Sequence, residues 1–193
     1  GIDMTANQLE VARRYEEFHR ERFEYARSNV EFHEGYMEEL AAFGIADRSV
    51  DVAISNCVIN LAPDKERVFS EVMRVLKHGG ELYFADVFSD RRLSDEMKAD
   101  PVLVGECLGG ALYIEDFRRM MAKLGISDYR IIASSPIEPS NPDLELRCGN
   151  VRFYSMTIRV FNLPELEDRC EDYGQVAWYR GTIPDAPHQF VLD

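Results

Sequence analysis

Strand-like and helix-like segments alternate along the first two-thirds of the chain, and this alternation restricts the fold more than any other feature of the sequence. "GID" reads as the end of a strand. "TANQ" (Thr5 to Gln8) has the capping-box pattern, Thr followed three residues later by Gln, and predicts a helix reaching about Arg27. Leu9, Ala12 and Tyr15 share one face of it. "NVEFHEG" reads as a short alternating strand and "SVDVAIS" as a more buried one. Pro63 and Asp64 open the next helix, with Val68, Val72, Val75 and Leu76 as its apolar stripe. Lys77 and His78 suit its carbonyl end, and Gly79-Gly80 should stop it. "ELYFADVF" is another buried strand. Phe117, Met120, Met121 and Leu124 mark a further amphipathic helix closed by Gly125, and "DYRIIASS" follows as a strand.

This order implies the α/β class: a mostly parallel, doubly wound sheet covered on both faces. Ligands of such sheets bind beyond the carboxyl ends of the strands. Asp3 and the pair Asn56-Cys57 stand at two such ends. The Pro/Ser/Asn loop "PIEPSNPD" is the best boundary, and the β-like segments "RFYSMTIRVF" and "GQVAWYRG" lie beyond it.

Charge excludes some partners. Thirty-five acids against 22 bases give a net charge of −13, which disfavours nonspecific binding to nucleic acid or to an anionic membrane surface. No apolar run is long enough to span a bilayer. The four cysteines, at 57, 107, 148 and 170, form no C-x-x-C or zinc-finger spacing, so reduced thiols in a cytoplasmic protein are expected. The four histidines form no metal-like spacing either.

Each polar candidate has a plain alternative. A cysteine after a buried strand commonly serves as a small apolar filler. Cys107 lies among Gly105, Gly109 and Gly110, where backbone can approach a ligand closely or simply make an ordinary tight entry to a helix. Cys170 sits amid acids that disfavour its thiolate. Asp3 could bind a ribose or merely favour the start of a helix.

Several stretches taken together resemble the arsenite S-adenosylmethionine methyltransferases: "GIDMTANQLEVAR", "NVEFHEGYMEEL", "SNCVINLAPDKERVFSEVMRVLKHGGELYFADV", "DPVLVGECLGGALY", "RFYSMTIRVF" and "RCEDYGQVAWYRGTI". "SNCVINL" with "GECLGGALY" is the specific part, because each brings a cysteine that a generic methyltransferase does not need. The resemblance implies a Rossmann-like class I methyltransferase sheet, incomplete at its N-terminus, over residues 1–133, and a small β-containing region specific to the arsenic enzymes over 134–193. It implies methyl transfer from S-adenosylmethionine to trivalent arsenic held by Cys57 and Cys107. Asp3 would bind the cofactor ribose and Met4 the adenine face. Met37 and Glu38 would meet the adenine edge, and Asn56 would line the cofactor side of the cleft. Thiol reductants such as glutathione or thioredoxin and a monomeric state are implied as well.

Two rival readings remain at this point. A carbon methyltransferase acting on a quinone or sterol would share Asp3 and "HGGEL" but has no use for paired cysteines. A non-catalytic thiol module would sequester arsenic or another soft metal. The family's glycine-rich cofactor loop and a further cysteine belong upstream of Asp3, and the twelve glycines here include no such loop. The chain is therefore expected to be a fragment that binds S-adenosylmethionine weakly and turns over little. Isothermal titration of the chain with the cofactor checks this; ordinary tight binding would overturn it.

Overall fold

The computed structural model describes residues 1–168, 174, 176–178, 180 and 189–191. Its strands and helices follow in the order β1 (Ile2–Asp3), α1 (Ala6–Arg14), α2 (Glu16–Arg22), β2 (His33–Glu34), β3 (Val50–Asn56), α3 (Lys65–Val75), β4 (Leu76–Ser89), α4 (Asp95–Ala99) and α5 (Pro101–Gly105). They continue with β5 (Leu112–Tyr113), α6 (Ile114–Lys123), β6 (Arg130–Ile137), α7 (Pro142–Cys148), β7 (Phe153–Phe161), β8 (Val176–Trp178) and β9 (Gln189–Val191). Two 3-10 segments, Met37–Phe43 and Ile59–Leu61, follow β2 and β3.

β4 organises the main sheet, whose order is β3-β4-β7-β6. β3 runs parallel to β4, while β7 pairs with β4 antiparallel from Glu81 to Ser89 and β6 pairs antiparallel with β7, so the sheet is mixed and not the mostly parallel one expected from the alternation. β5 adds two parallel pairs, Phe88 with Leu112 and Ser89 with Tyr113. β1 and β2 form a separate parallel pair, and β8 and β9 an antiparallel one. The boundary expected at 133/134 falls inside β6, and the sheet continues across it to Phe161.

The period-2 pattern of β4 splits its side chains between two cores. Leu82, Phe84 and Phe88 join Met156, Ile158 and Val160 of β7 under α3 and α6. Val87 turns to the opposite face with Phe153, Leu103, Leu108, Leu144 and Cys148. Phe117 of α6 is fully buried and lies 5.3 Å from Phe69, 5.6 Å from Phe84 and 5.7 Å from Phe88, centroid to centroid. Tilted and edge-to-face rings at these separations add to the area they bury.

Four local expectations need correction. The first helix is two, broken at Tyr15 and ended where Glu24 adopts φ 58°. Thr5 does occupy the N-cap position but makes no capping bond through its side chain; the Asp3 carboxylate instead accepts from the Thr5 N–H at 2.7 Å. "NVEFHEG" contributes only His33–Glu34, because β1 offers just two residues to pair with. Lys77 to Gly80 do not close α3. That helix ends at Val75, and these residues lie inside β4, where three residues of β3 (Val50 to Val52) span six of β4 (Leu76 to Glu81). Gly79, at φ 77°, permits the bulge.

β3 is also less covered than its composition suggests: Ile54 is 78% exposed and Val52 49%. Between this strand and the β1–β2 pair lies a cavity of about 620 Å³ lined by Ile2, Met37, Val52, Ile54, Ser55 and Ile59 among others. Of the expectations for the tail, Cys170 and His188 lie outside the described residues.

Phe117→Ala should cost about 3–5 kcal/mol, the range for removing a large aromatic from a closed core. Denaturant unfolding followed by circular dichroism checks this; a loss below about 1 kcal/mol would mean that the ring cluster collapses around the gap.

Candidate functional site

Cys57 follows Asn56, the last residue of β3, and has φ 56°. Cys107 follows α5 and has φ 61°. Among the described residues only four non-glycines have positive φ, and two of them are these cysteines. A side chain beyond glycine pays for this conformation, so it persists only where surrounding bonds impose it. At Cys57 the amide donates to the Ala85 carbonyl of β4 at 2.8 Å. At Cys107 the chain folds back on α5: its amide reaches the Val104 carbonyl at 3.0 Å, and the amides of Leu108 and Gly109 both reach the Leu103 carbonyl at 2.8 Å.

The two thiols lie within electrostatic reach of each other. The Cys57 thiol is pushed above its ordinary range by partial burial, then by the Asp86 carboxylate and by Cys107. The residue as a whole is exposed, so the screening from water is local to the sulfur. Its Sγ–H donates to Asn56 Oδ1 at 3.5 Å. Cys107 is half-buried. Cys148 is a buried member of the apolar cluster that Cys107 borders, and burial raises its thiol.

Near Cys57 sits a buried acid that the sequence pattern did not single out. Asp86 is 2% exposed, accepts from the amides of Asn60 at 3.1 Å and Val87 at 2.9 Å, and has its carboxyl raised by burial. The Lys65 ammonium is near enough to favour its charge, and burial lowers that lysine in turn. Asn60 is 3% exposed and donates through Nδ2 to the Val87 carbonyl at 2.6 Å, leaving its buried Oδ1 without a protein partner. The available signal was "FADVF", an acid inside an otherwise apolar strand.

The remaining candidates stand past the carboxyl ends of three strands. Asp3 ends β1, with Met4 next to it and 66% exposed. One accepted amide bond leaves the Asp3 carboxylate with further acceptor capacity. Met37 and Glu38 open the 3-10 segment after β2; Met37 borders the main core and Glu38 is 8% exposed. Arg67 Nε donates to the Glu38 carbonyl at 3.0 Å and so ties that segment to α3. Asn56 ends β3 and is exposed. A carboxylate with spare acceptor capacity, an exposed thioether and an exposed amide fit a nucleoside better than an inorganic ion. Among the described residues no group of three His, Cys, Asp or Glu side chains could hold a metal ion.

Known proteins share this fold. Residues 1–125 match the family described as "Methyltransferase domain". The arsenic(III) S-adenosylmethionine methyltransferase of Chlamydomonas reinhardtii superposes with a TM-score of 0.88 at 48% identity, over 99% of this chain and 67% of that one. The chain belongs to the arsenite S-adenosylmethionine methyltransferase family. It is 54% identical over 193 residues to the arsenite methyltransferase of Aquipseudomonas alcaligenes, covering 100% of this chain and 55% of that relative. The arsenite methyltransferase of Mus musculus is 45% identical over 195 residues, covering 100% of this chain and 50% of the relative. The chain therefore spans about half the length of these curated relatives. Its sheet is of the Rossmann-like class I methyltransferase type, with helices against it.

Because Asp86 charge disfavours the Cys57 thiolate, Asp86→Asn should move alkylation of Cys57 to lower pH. In the parent the rate should rise at a pH above that of an ordinary thiol, about 8.5. Iodoacetamide labelling followed by mass spectrometry across pH checks both statements; an unmoved profile in Asp86→Asn would remove the charge coupling.

Proposed function

We propose that this chain holds the arsenic-binding and cofactor-facing part of an arsenite methyltransferase. Cys57 and Cys107 would bind trivalent arsenic as thiolates, and Asp3, Met4, Met37, Glu38 and Asn56 would bind S-adenosylmethionine. The observation that carries the reading is the pair of thiols, each on an imposed left-handed turn and close enough to influence one another.

Trivalent arsenic is soft and prefers sulfur, so it exchanges hydroxyl ligands for thiolates. Each exchange forms one As–S bond and breaks one As–O bond, and the thiol proton leaves with the hydroxide as water. S-adenosylmethionine supplies an electrophilic methyl group on a sulfonium. The protein contributes position: two rigidly placed sulfurs hold the arsenic so that its lone pair faces the cofactor side of the cleft. Orientation of this kind can be worth about 7–11 kcal/mol of barrier in favourable cases. Asn56 sits between the two sides, next to Cys57 in sequence and bonded to its thiol. Asp3 and Met4 offer a ribose acceptor and an apolar surface for the base. On the same reading, external thiols such as glutathione or thioredoxin return the cysteines to the reduced state. Free thiols at Cys57, Cys107 and Cys148 favour a reducing, cytoplasmic setting, and a monomer suffices because both sulfurs come from one chain.

Binding of phenylarsine oxide and of zinc to the reduced chain tests the site. The arsenical should bind tightly and zinc should not. Cys57→Ser or Cys107→Ser should each weaken the arsenical on the order of 10²-fold, as expected when two-point attachment becomes one-point. Unchanged binding in both variants would reduce the cysteines to packing residues.

A further inference from the structure

One edge of β4 is covered by β7 from Glu81 to Ser89. The other edge carries β3 as far as Ala85 and β5 from Phe88 onward. Between them, Asp86 and Val87 face no strand. The turn leaving β3 fills this interval. Cys57 N–H bonds to the Ala85 carbonyl at 2.8 Å, Asn60 N–H to the Asp86 carboxylate at 3.1 Å, and Asn60 Nδ2 to the Val87 carbonyl at 2.6 Å. Three successive residues of β4 thus hold the segment that begins with the first thiol.

The second thiol's turn rests on the same segment. A Cβ placed on Gly110 would lie 2.2 Å from the Asn60 carbonyl oxygen and 3.0 Å from its carbon. These are backbone atoms of a residue anchored twice to β4, so they cannot swing aside as a flexible side chain could. Gly109 makes a matching approach behind: a Cβ there would stand 2.8 Å from Val104 Cγ2 and 3.0 Å from Val104 N. The Cys107 turn is therefore closed against α5 at Gly109 and seated on Asn60 at Gly110. Gly110 leads through Ala111 into β5, which rejoins β4 at Phe88.

We propose that Asn60, anchored by Asp86 and Val87 and contacted by Gly110, is the brace that sets the spacing between Cys57 and Cys107. The inference deepens the arsenic reading and rests on it for its purpose. Asn60, Asp86 and Gly110 are positioning residues and need not touch substrate. Two thiols bind one arsenic more tightly than one thiol only if both can engage together; a bulkier contact at Gly110 pushes their turns apart and forfeits that gain.

The test uses the reduced chain, dibromobimane (which fluoresces on bridging two neighbouring thiols) and phenylarsine oxide. Gly110→Ala should lose the bridging fluorescence and weaken the arsenical on the order of 10²-fold, while iodoacetamide still labels each thiol at the parent's rate. Asp86→Ala should shift both readouts in the same direction. Asp86→Asn keeps one of the two acceptor oxygens and, with that oxygen turned to the Asn60 N–H, should recover part of the loss. Parent-like bridging and arsenical binding in folded Gly110→Ala would overturn the brace. If Gly110→Ala does not fold, the Asp86 pair decides, and equal losses in Asp86→Ala and Asp86→Asn overturn it. A parent that bridges dibromobimane but ignores the arsenical overturns the functional reading and leaves bridging to judge the brace. A parent that does not bridge overturns the brace itself.

Discussion

The structure depends on how β4 satisfies its backbone groups. A central strand cannot leave peptide groups buried without partners, since each costs about 1–3 kcal/mol. β7 supplies them along one edge, while β3 and β5 divide the other. Where neither strand reaches, the turn after β3 takes over, using a carboxylate and an amide side chain from Asp86 and Asn60. The chemistry of the site grows out of that substitution. A turn bonded to a strand edge has little freedom, and a residue such as Cys57 can then be held in a left-handed conformation it would not adopt alone.

The thiol turns and the segment after β2 are held by different means. Around Asn60 the partners are buried. The segment after β2 is attached in part electrostatically: Arg67 holds the Glu38 carbonyl, the Glu71 carboxylate accepts from the Ala41 amide, and Arg74 joins Glu71 to Asp47 and the Ile45 carbonyl. These bonds dock the segment after β2 onto α3, the helix that also packs over Phe84 and Phe117 through Phe69. Glu71 is kept below the usual carboxylate range first by its Arg74 hydrogen bond, and Arg74 is raised by the same contact. Glu71 and Arg74 are half-buried, and their bonds orient the segment after β2 against α3.

At −13 the chain sets up a long-range field that repels polyanions. The turns at 57 and 107 are by contrast local features, held by backbone bonds to β4 and to α5.

Much was legible in the residues. Alternating periodicity announced the α/β class, Asp64 marked the start of α3, and the 3.6-residue stripe of Phe117, Met120 and Met121 located α6, because these signals are local and repeat at the period of the element. "SNC" and "GEC" could be paired by resemblance. Other features escaped for a common reason. "KHGG" reads as a helix end, yet only the register between β3 and β4 turns it into a bulge. Asp86 reads as a lone acid in an apolar strand, yet its role exists only because β3 stops one residue short of it. By itself the sequence determined the order and type of the main elements, the two thiols and the charge, all properties of neighbouring residues. The tertiary structure alone decided that Gly110 rests on the Asn60 carbonyl and that Cys57 comes near both Cys107 and the buried Asp86 carboxylate, because those contacts join residues some thirty to fifty positions apart across strand edges whose pairing no local pattern encodes.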